Sequence, residues 1–190
     1  MANHVYQYVD IEANESALEE WQRIKQLVHD KLEKEYPNDF LQDASPEDYA
    51  PLIGKPKLEE EHSWDWYCDN VGAKWCHITE AEDDYFCMYS AWSIADAFVE
   101  KLTEYLSQWD PEIKLINQYD DEFYNFTGVM VTEWAGETTT MDYDEMTWEE
   151  IQSIRGAVIE VTPADYDWSD DEEFDNWLME WKERARESLC

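Results

Sequence analysis

The chain has 190 residues, 47 of them Asp or Glu and 13 Lys or Arg, for a formal net charge of −34. With 44% hydrophobic and 15% aromatic residues it carries enough apolar material to bury a core, which excludes a chain disordered throughout. The sign and size of the charge exclude direct binding to nucleic acid or to an anionic membrane, and make a basic partner its natural complement.

Residues 1–62 open on a period-two pattern. Val5, Gln7 and Val9 alternate with Tyr6 and Tyr8, which predicts a strand over residues 4–11. Asn14 stands where a helix N-cap is wanted. From Glu15 to Tyr36, the residues Ala17, Leu18, Trp21, Ile24, Leu27, Val28 and Leu32 recur at steps of three and four. This predicts an amphipathic helix, stopped by Pro37, with Glu19, Arg23, Lys31 and Lys34 on its outer side. Residues 37–62 contain Pro37, Pro46, Pro51, Gly54 and Pro56 and read as a wrapping loop with one helical turn from Pro46 to Leu52.

Residues 63–134 form the central unit. Asp65 to Val71 spans about two helical turns, and Gly72 stands where the left-handed closing residue belongs. Lys74, Cys76 and Ile78 then alternate with Trp75, His77 and Thr79 as a strand. Glu80-Ala81-Glu82-Asp83-Asp84 is a polar turn, and Tyr85 to Ala91 is the returning strand of a hairpin. Ser93 with Asp96 suggests a capping box. Ala97, Phe98, Leu102, Tyr105 and Leu106 continue at helical spacing, with Pro111 beyond the end. A strand over 113–118, a turn at Asp120-Asp121-Glu122 and a strand over 123–134 follow, with Gly128 as a bulge position. Trp21, Trp75, Trp92 and Trp177 are expected in the core.

The string Asp69-Asn70-Val71-Gly72-Ala73-Lys74-Trp75, the hairpin after it, and Ser90-Ala91-Trp92-Ser93 opening a helix resemble a family of phage- and plasmid-borne proteins. Those proteins carry a YubB-like ferredoxin-like domain. The resemblance covers roughly residues 64–134. It implies a mobile-element origin and an α+β, mainly antiparallel sheet with a ferredoxin-like core and helices on one face. It implies no activity, since the family is mostly uncharacterised, and this chain departs from it in its acidity and its long acidic C-terminal part.

That part, residues 135–190, reads as an extension packed on the core within one globular unit. A weak strand or loop spans 137–146, a short helix 147–153 and a strand 157–162. A terminal helix starts at Ser169 or Asp170 and runs to about Ser188. Its apolar side is Phe174, Trp177, Leu178 and Trp181. Its acidic first turn and its Arg184 and Arg186 near the end suit the helix dipole.

The charge sets the functional expectation. A compact chain of this length is about 42 Å across, and duplex DNA of that length carries about 25 charges. The protein therefore matches or exceeds duplex DNA of its own size. Its carboxylates cluster at Glu80, Glu82, Asp83 and Asp84; at Asp120, Asp121 and Glu122; at Asp142, Asp144 and Glu145; and at Asp167, Asp170, Asp171, Glu172, Glu173 and Asp175. Three clusters fall at turns of the sheet, which invites the expectation that they gather along one end. Trp109, Trp134, Trp148 and Trp168 stand beside acids near element ends, as candidate contacts for a partner's Arg side chains.

The expected function is a non-enzymatic, phage-type protein that mimics nucleic-acid charge and inhibits a basic DNA- or RNA-binding host protein, such as a component of a restriction or CRISPR defence system. The alternative is an acidic assembly factor that pairs with itself, as a homodimer, or with another phage protein. No pattern calls for a cofactor or a dedicated metal. Asp-rich runs lack the Gly of a calcium loop. Cys68, Cys76, His77 and Cys87 lack a Cys-x-x-Cys pair, and Cys76 and His77 should face opposite ways on a strand. No catalytic dyad or phosphate loop is evident: His4, His29 and His62 have no fixed partner, and Gly54-Lys55 lacks an earlier Gly. The N-terminus has no basic and apolar run, and no stretch is apolar enough to span a bilayer, so the cytoplasm of an infected host, with reduced thiols, is the expected location.

Overall fold

The computed structural model describes residues 3–37, 43–51, 64–122, 126–134 and 138–142, together with helical residues 176, 179, 180, 182, 183, 186 and 187. In chain order the elements are β1 (His4–Glu12), α1 (Glu15–Glu35), α2 (Pro46–Tyr49), α3 (Trp64–Asn70), β2 (Lys74–Ala81), β3 (Tyr85–Ala91), α4 (Asp96–Leu106), β4 (Lys114–Asp121), β5 (Thr127–Glu133) and β6 (Thr138–Asp142). The strands form one sheet in the order β2-β3-β1-β4-β5-β6, and every neighbouring pair is antiparallel. Up to β4 the connections run β-α-β-β-α-β. The fold is α+β. Among the described residues, no helix is long and apolar enough to cross a membrane.

The period-two pattern of β1 decides the layering. Val5, Val9 and Ile11 are buried on the inner face, and Tyr6, Tyr8 and Glu12 point the other way. Phe86 and Met88 of β3 and Leu115 and Tyr119 of β4 join the same inner layer. Helices α1 and α4 close it with Trp21, Ile24, Val28, Phe98, Leu102 and Leu106, all 2% exposed or less. Trp21 is central. Its ring lies 5.8 Å from Tyr49 and 5.4 Å from Phe86, and its indole N–H donates to the Glu82 carbonyl at 2.8 Å. That bond ties α1 to the β2–β3 turn.

The expected helix boundaries hold at the first helix. Asn14 Oδ1 accepts from the Ala17 N–H at 3.1 Å, as an N-cap does. Gly72 has φ +90°, and a Cβ there would lie 1.8 Å from Asp96 Oδ1. Glycine is required both by conformation and by space.

Three local expectations need correction. The second long helix starts at Asp96, and its N-cap, Ala95, makes no side-chain cap. Ser93 instead donates its hydroxyl to the Gly72 carbonyl at 3.0 Å. The Ala95 N–H donates to Gln7 Oε1 at 2.9 Å, so the sheet, not a local box, satisfies this helix start. The strand expected to stop at residue 118 continues through Asp121, because Val5 and Tyr6 still offer partners there. Gly128 pairs in regular register with Tyr119 and Asp142. The register shifts fall in β2, between Lys74 and His77 and between Ile78 and Glu80.

Candidate functional site

Side chains on the outer face of the sheet divide into two halves. Over β4 and β5 the buried ones are β-branched: Ile116, Val129 and Val131 form a small cluster. Charged residues of the C-terminal helical segment reach the border of this half. Lys182 Nζ meets Asp120 at 2.5 Å, and Arg186 donates to Asp10 at 2.9 Å and to Glu12 at 2.7 Å.

Over β1, β3 and β2 the outer positions are rings. Tyr6 is opposite Tyr89, and Tyr8 is opposite Cys87. The Tyr8 and Tyr85 rings stack at 5.1 Å, as do His77 and Tyr89, while His4 meets Tyr89 edge-on at 5.7 Å. Tyr6 is 53% exposed and Tyr8 38%. A cavity of about 370 Å³ opens here, lined chiefly by Tyr6, Tyr8, Thr79, Cys87, Tyr89 and Gln118, with the Asp120–Lys182 pair at its wall.

The local field is negative. The Tyr8 phenol is pushed up by burial and then by Asp10. The Tyr85 phenol, which donates to Glu80 at 2.9 Å, is pushed up to about 12, mainly by that bond. Burial, then Asp43, raises Tyr89. These hydroxyls are protonated donors at neutral pH. The Cys87 thiol is also raised, by burial and by Glu80, so it is a poor nucleophile. Cys76 lies 1% exposed on the inner face and is raised by burial. His77 stands on the opposite face, so the two form no dyad.

The acidic clusters do not gather along one end. Glu80, Glu82, Asp83 and Asp84 occupy the exposed end of the β2–β3 hairpin, where the Ile11 N–H donates to the Asp84 carbonyl. Glu122 lies beyond β4, its N–H donating to the His4 carbonyl. Seven residues of β1 separate those two contacts, roughly 23 Å. The reason is direction. Strands β3 and β4 both run antiparallel to β1, so the turn before one and the turn after the other fall at opposite ends.

Asp121 is corrected more severely. It is 1% exposed, faces inward and accepts from the Asn3 side-chain amide, so it is no surface contact. Asp120 is half-buried and already engaged by Thr127 and Lys182. Asp142 ends β6 opposite Gly128, at the Glu122 end of the sheet. Asp144, Glu145, Asp167, Asp170, Asp171, Glu172, Glu173 and Asp175 lie outside the described residues, as do Trp148 and Trp168.

Of the aromatic candidates, Trp109 is 36% exposed beside Tyr105 after α4, and Trp134 is 49% exposed after β5. Neither is on the ring-lined half. Trp21 is in the core as expected, and Trp177 lies outside the described residues. Trp75 and Trp92 are not core residues: they are 57% and 47% exposed, with rings 5.2 Å apart. Both have positive φ, 44° and 67°, a conformation that is an outlier for a bulky side chain. Trp75 keeps the outer phase of β2 with His77 and Thr79, opposite buried Cys76 and Ile78, so the strand alternation, not hydrophobicity, decides its place. Among the described residues, His29, Asp30 and Glu33 bring three potential metal-ligand atoms together. All three are exposed on one stretch of α1, an ordinary consequence of helical spacing.

Compared with protein-family models, with curated proteins and with solved structures, the chain finds no match.

Proposed function

We propose that this chain is an acidic, non-enzymatic binding protein that occupies a basic, nucleic-acid-binding host protein and competes with its nucleic acid. The observation that carries the reading is the formal charge of −34 on 190 residues, held by a chain with a well-packed core. Self-repulsion of that size costs stability, and a cationic partner relieves it. Fixed carboxylates at both ends of one sheet support the reading, since a rigid acidic surface costs less ordering on binding than a flexible one. The β-α-β-β-α-β connectivity fits a ferredoxin-like core of the kind seen in the phage- and plasmid-borne family that the central motif resembles. On that basis a phage-type inhibitor of a defence nuclease is the most specific form of the proposal.

The test begins with immobilised protein and host lysate at low salt, eluted by a salt step. The captured protein is then assayed for DNA or RNA binding with and without this chain. The expected result is competition whose strength falls steeply with salt, as lost counterion release demands. Captured proteins that bind no nucleic acid, or whose nucleic-acid binding the chain leaves unchanged, would overturn the reading. So would a salt-independent homo-oligomer that captures nothing.

A further inference from the structure

The ring-lined half of the outer face combines three features. The first is repeat. His4, Tyr6 and Tyr8 stand at every second position of β1, roughly 6.6 Å apart. That is the interval at which alternate side chains of an extended peptide meet a surface. The second is exposed π surface: Tyr6 and Tyr8 are open, and Tyr89 and Tyr85 stand beside them on β3. The third is the sign of the rim. Lys182 and Arg186 are spent on Asp120, Asp10 and Glu12, and Lys114 pairs with Glu133 at 3.0 Å. Exposed Glu80 and Asp84 bound the face at one end and Glu122 at the other.

A sheet face set with aromatic rings is also how single-stranded nucleic acid is bound, by base stacking. Such platforms need cations along the track to hold the phosphates. Among the described residues, Lys114, Lys182 and Arg186 at this face are already paired and the rim is acidic, so a phosphate backbone is repelled. A guanidinium has the opposite fit. It lies flat on a ring, is weakly hydrated and takes carboxylates in a fork.

We propose that the ring-lined half of the outer face, centred on the cavity between Tyr6, Tyr8 and Tyr89, seats an extended arginine-bearing segment of the basic partner. This rests on the reading of the chain as a binder of basic proteins, and it locates the contact. Alternate arginines lie across the β1 and β3 rings, and their outer N–H groups reach the carboxylates at the two ends.

The experiment uses the full-length protein and two synthetic nine-residue peptides, one alternating arginine with threonine and one with lysine in place of arginine. Binding is measured at low salt. The arginine peptide should bind about two- to fivefold more tightly, because both cations meet the rings but only the guanidinium stacks flat and takes a carboxylate in a fork. Tyr6→Leu with Tyr89→Leu should abolish the preference, and Tyr6→Phe with Tyr89→Phe should keep it. A second readout needs no change to the rings. In a Cys68→Ser, Cys190→Ser background, the arginine peptide should shield Cys87 from alkylation, Cys76 being buried. Equal affinity for both peptides with Cys87 unprotected would overturn this inference and leave the proposed function standing. Failure of both peptides to bind would overturn this inference alone, since the proposed function is decided by the capture and competition assay. Ring-dependent binding of oligo-dT would overturn it in favour of a base-stacking platform.

Discussion

On the β4–β5 half of the outer face, Ile116 and Val129 are fully buried and Val131 is 2% exposed; on the β1–β3–β2 half, Tyr6 is 53% exposed and Tyr8 38%. Both halves belong to one antiparallel sheet, and the β1–β3 and β4–β5 ladders both run in regular register, so at those strands backbone geometry does not distinguish them. Side-chain chemistry does. Ile and Val have nothing to offer water and are stable only when covered. Tyr presents an apolar body and a polar tip, and tolerates a half-wet position. The first half is therefore closed and the second is open to solvent, which is the state the proposed docking requires.

The largest test of that difference is a truncation in each half. Ile116→Ala should cost about 3 kcal/mol, because it opens a cavity in a fully buried site. Tyr6→Ala should cost about 1 kcal/mol or less, the scale of one cross-strand ring pair at a half-exposed strand position. Urea unfolding of both variants measures this. Equal losses would mean that the tyrosines are structural, and the contrast would collapse. Next in size are the ion pairs at the border. Lys182→Ala and Arg186→Ala should each cost about 1 kcal/mol, less in high salt because the pairs are partly solvated.

Asp10 stands on the border itself and sharpens the contrast through pH. Burial holds its carboxyl above the ordinary value of 3.8, and the Arg186 guanidinium pulls it back down. A carboxyl raised in the folded state contributes its full stability below the unfolded value. That contribution fades as pH rises through the folded value. Asp10→Asn should therefore flatten the stability profile just above pH 3.8. Arg186→Ala should move the Asp10 titration to higher pH, since the lowering influence is gone. Carboxyl NMR titration reads the shift directly. A fall in the Asp10 value in Arg186→Ala would show that Arg186 is not its controlling neighbour.

How far the sequence carried is clear from particular residues. Period and punctuation placed β1, α1, β3 and α4 close to where they lie, because Asn14, Gly72 and Pro111 act on their immediate neighbours. The site was harder. Tyr6 and Tyr8 stand two apart in the sequence, and Tyr85 and Tyr89 four apart, so each pair is on one face of its strand. Only the pairing of β1 with β3, across more than seventy residues, makes them one surface. The placing of the acidic turns at opposite ends has the same non-local origin in strand order. Asp121 looked like a turn residue because two acids flank it, yet pairing with Val5 carried the strand through it. The α+β class was legible; the sharing of one face by the rings was not.

Trp75 and Trp92 allow the smallest and most discriminating prediction. They are large apolar residues left half in water, in a backbone conformation that costs roughly 1–2 kcal/mol for a residue with a Cβ. Their ring contact returns about 0.5–1.5 kcal/mol. Trp75→Gly removes both terms at once, because glycine takes φ 44° freely. By the same terms the net change in folding stability should lie between a loss of about 0.5 kcal/mol and a gain of about 1.5 kcal/mol. If thermal unfolding shows no loss while affinity for a captured partner falls, the pair serves recognition at the edge of the ring-lined half. A loss above about 2 kcal/mol would make the pair a support for the β2 bulge. The half left open would then be confined to the tyrosines of β1 and β3.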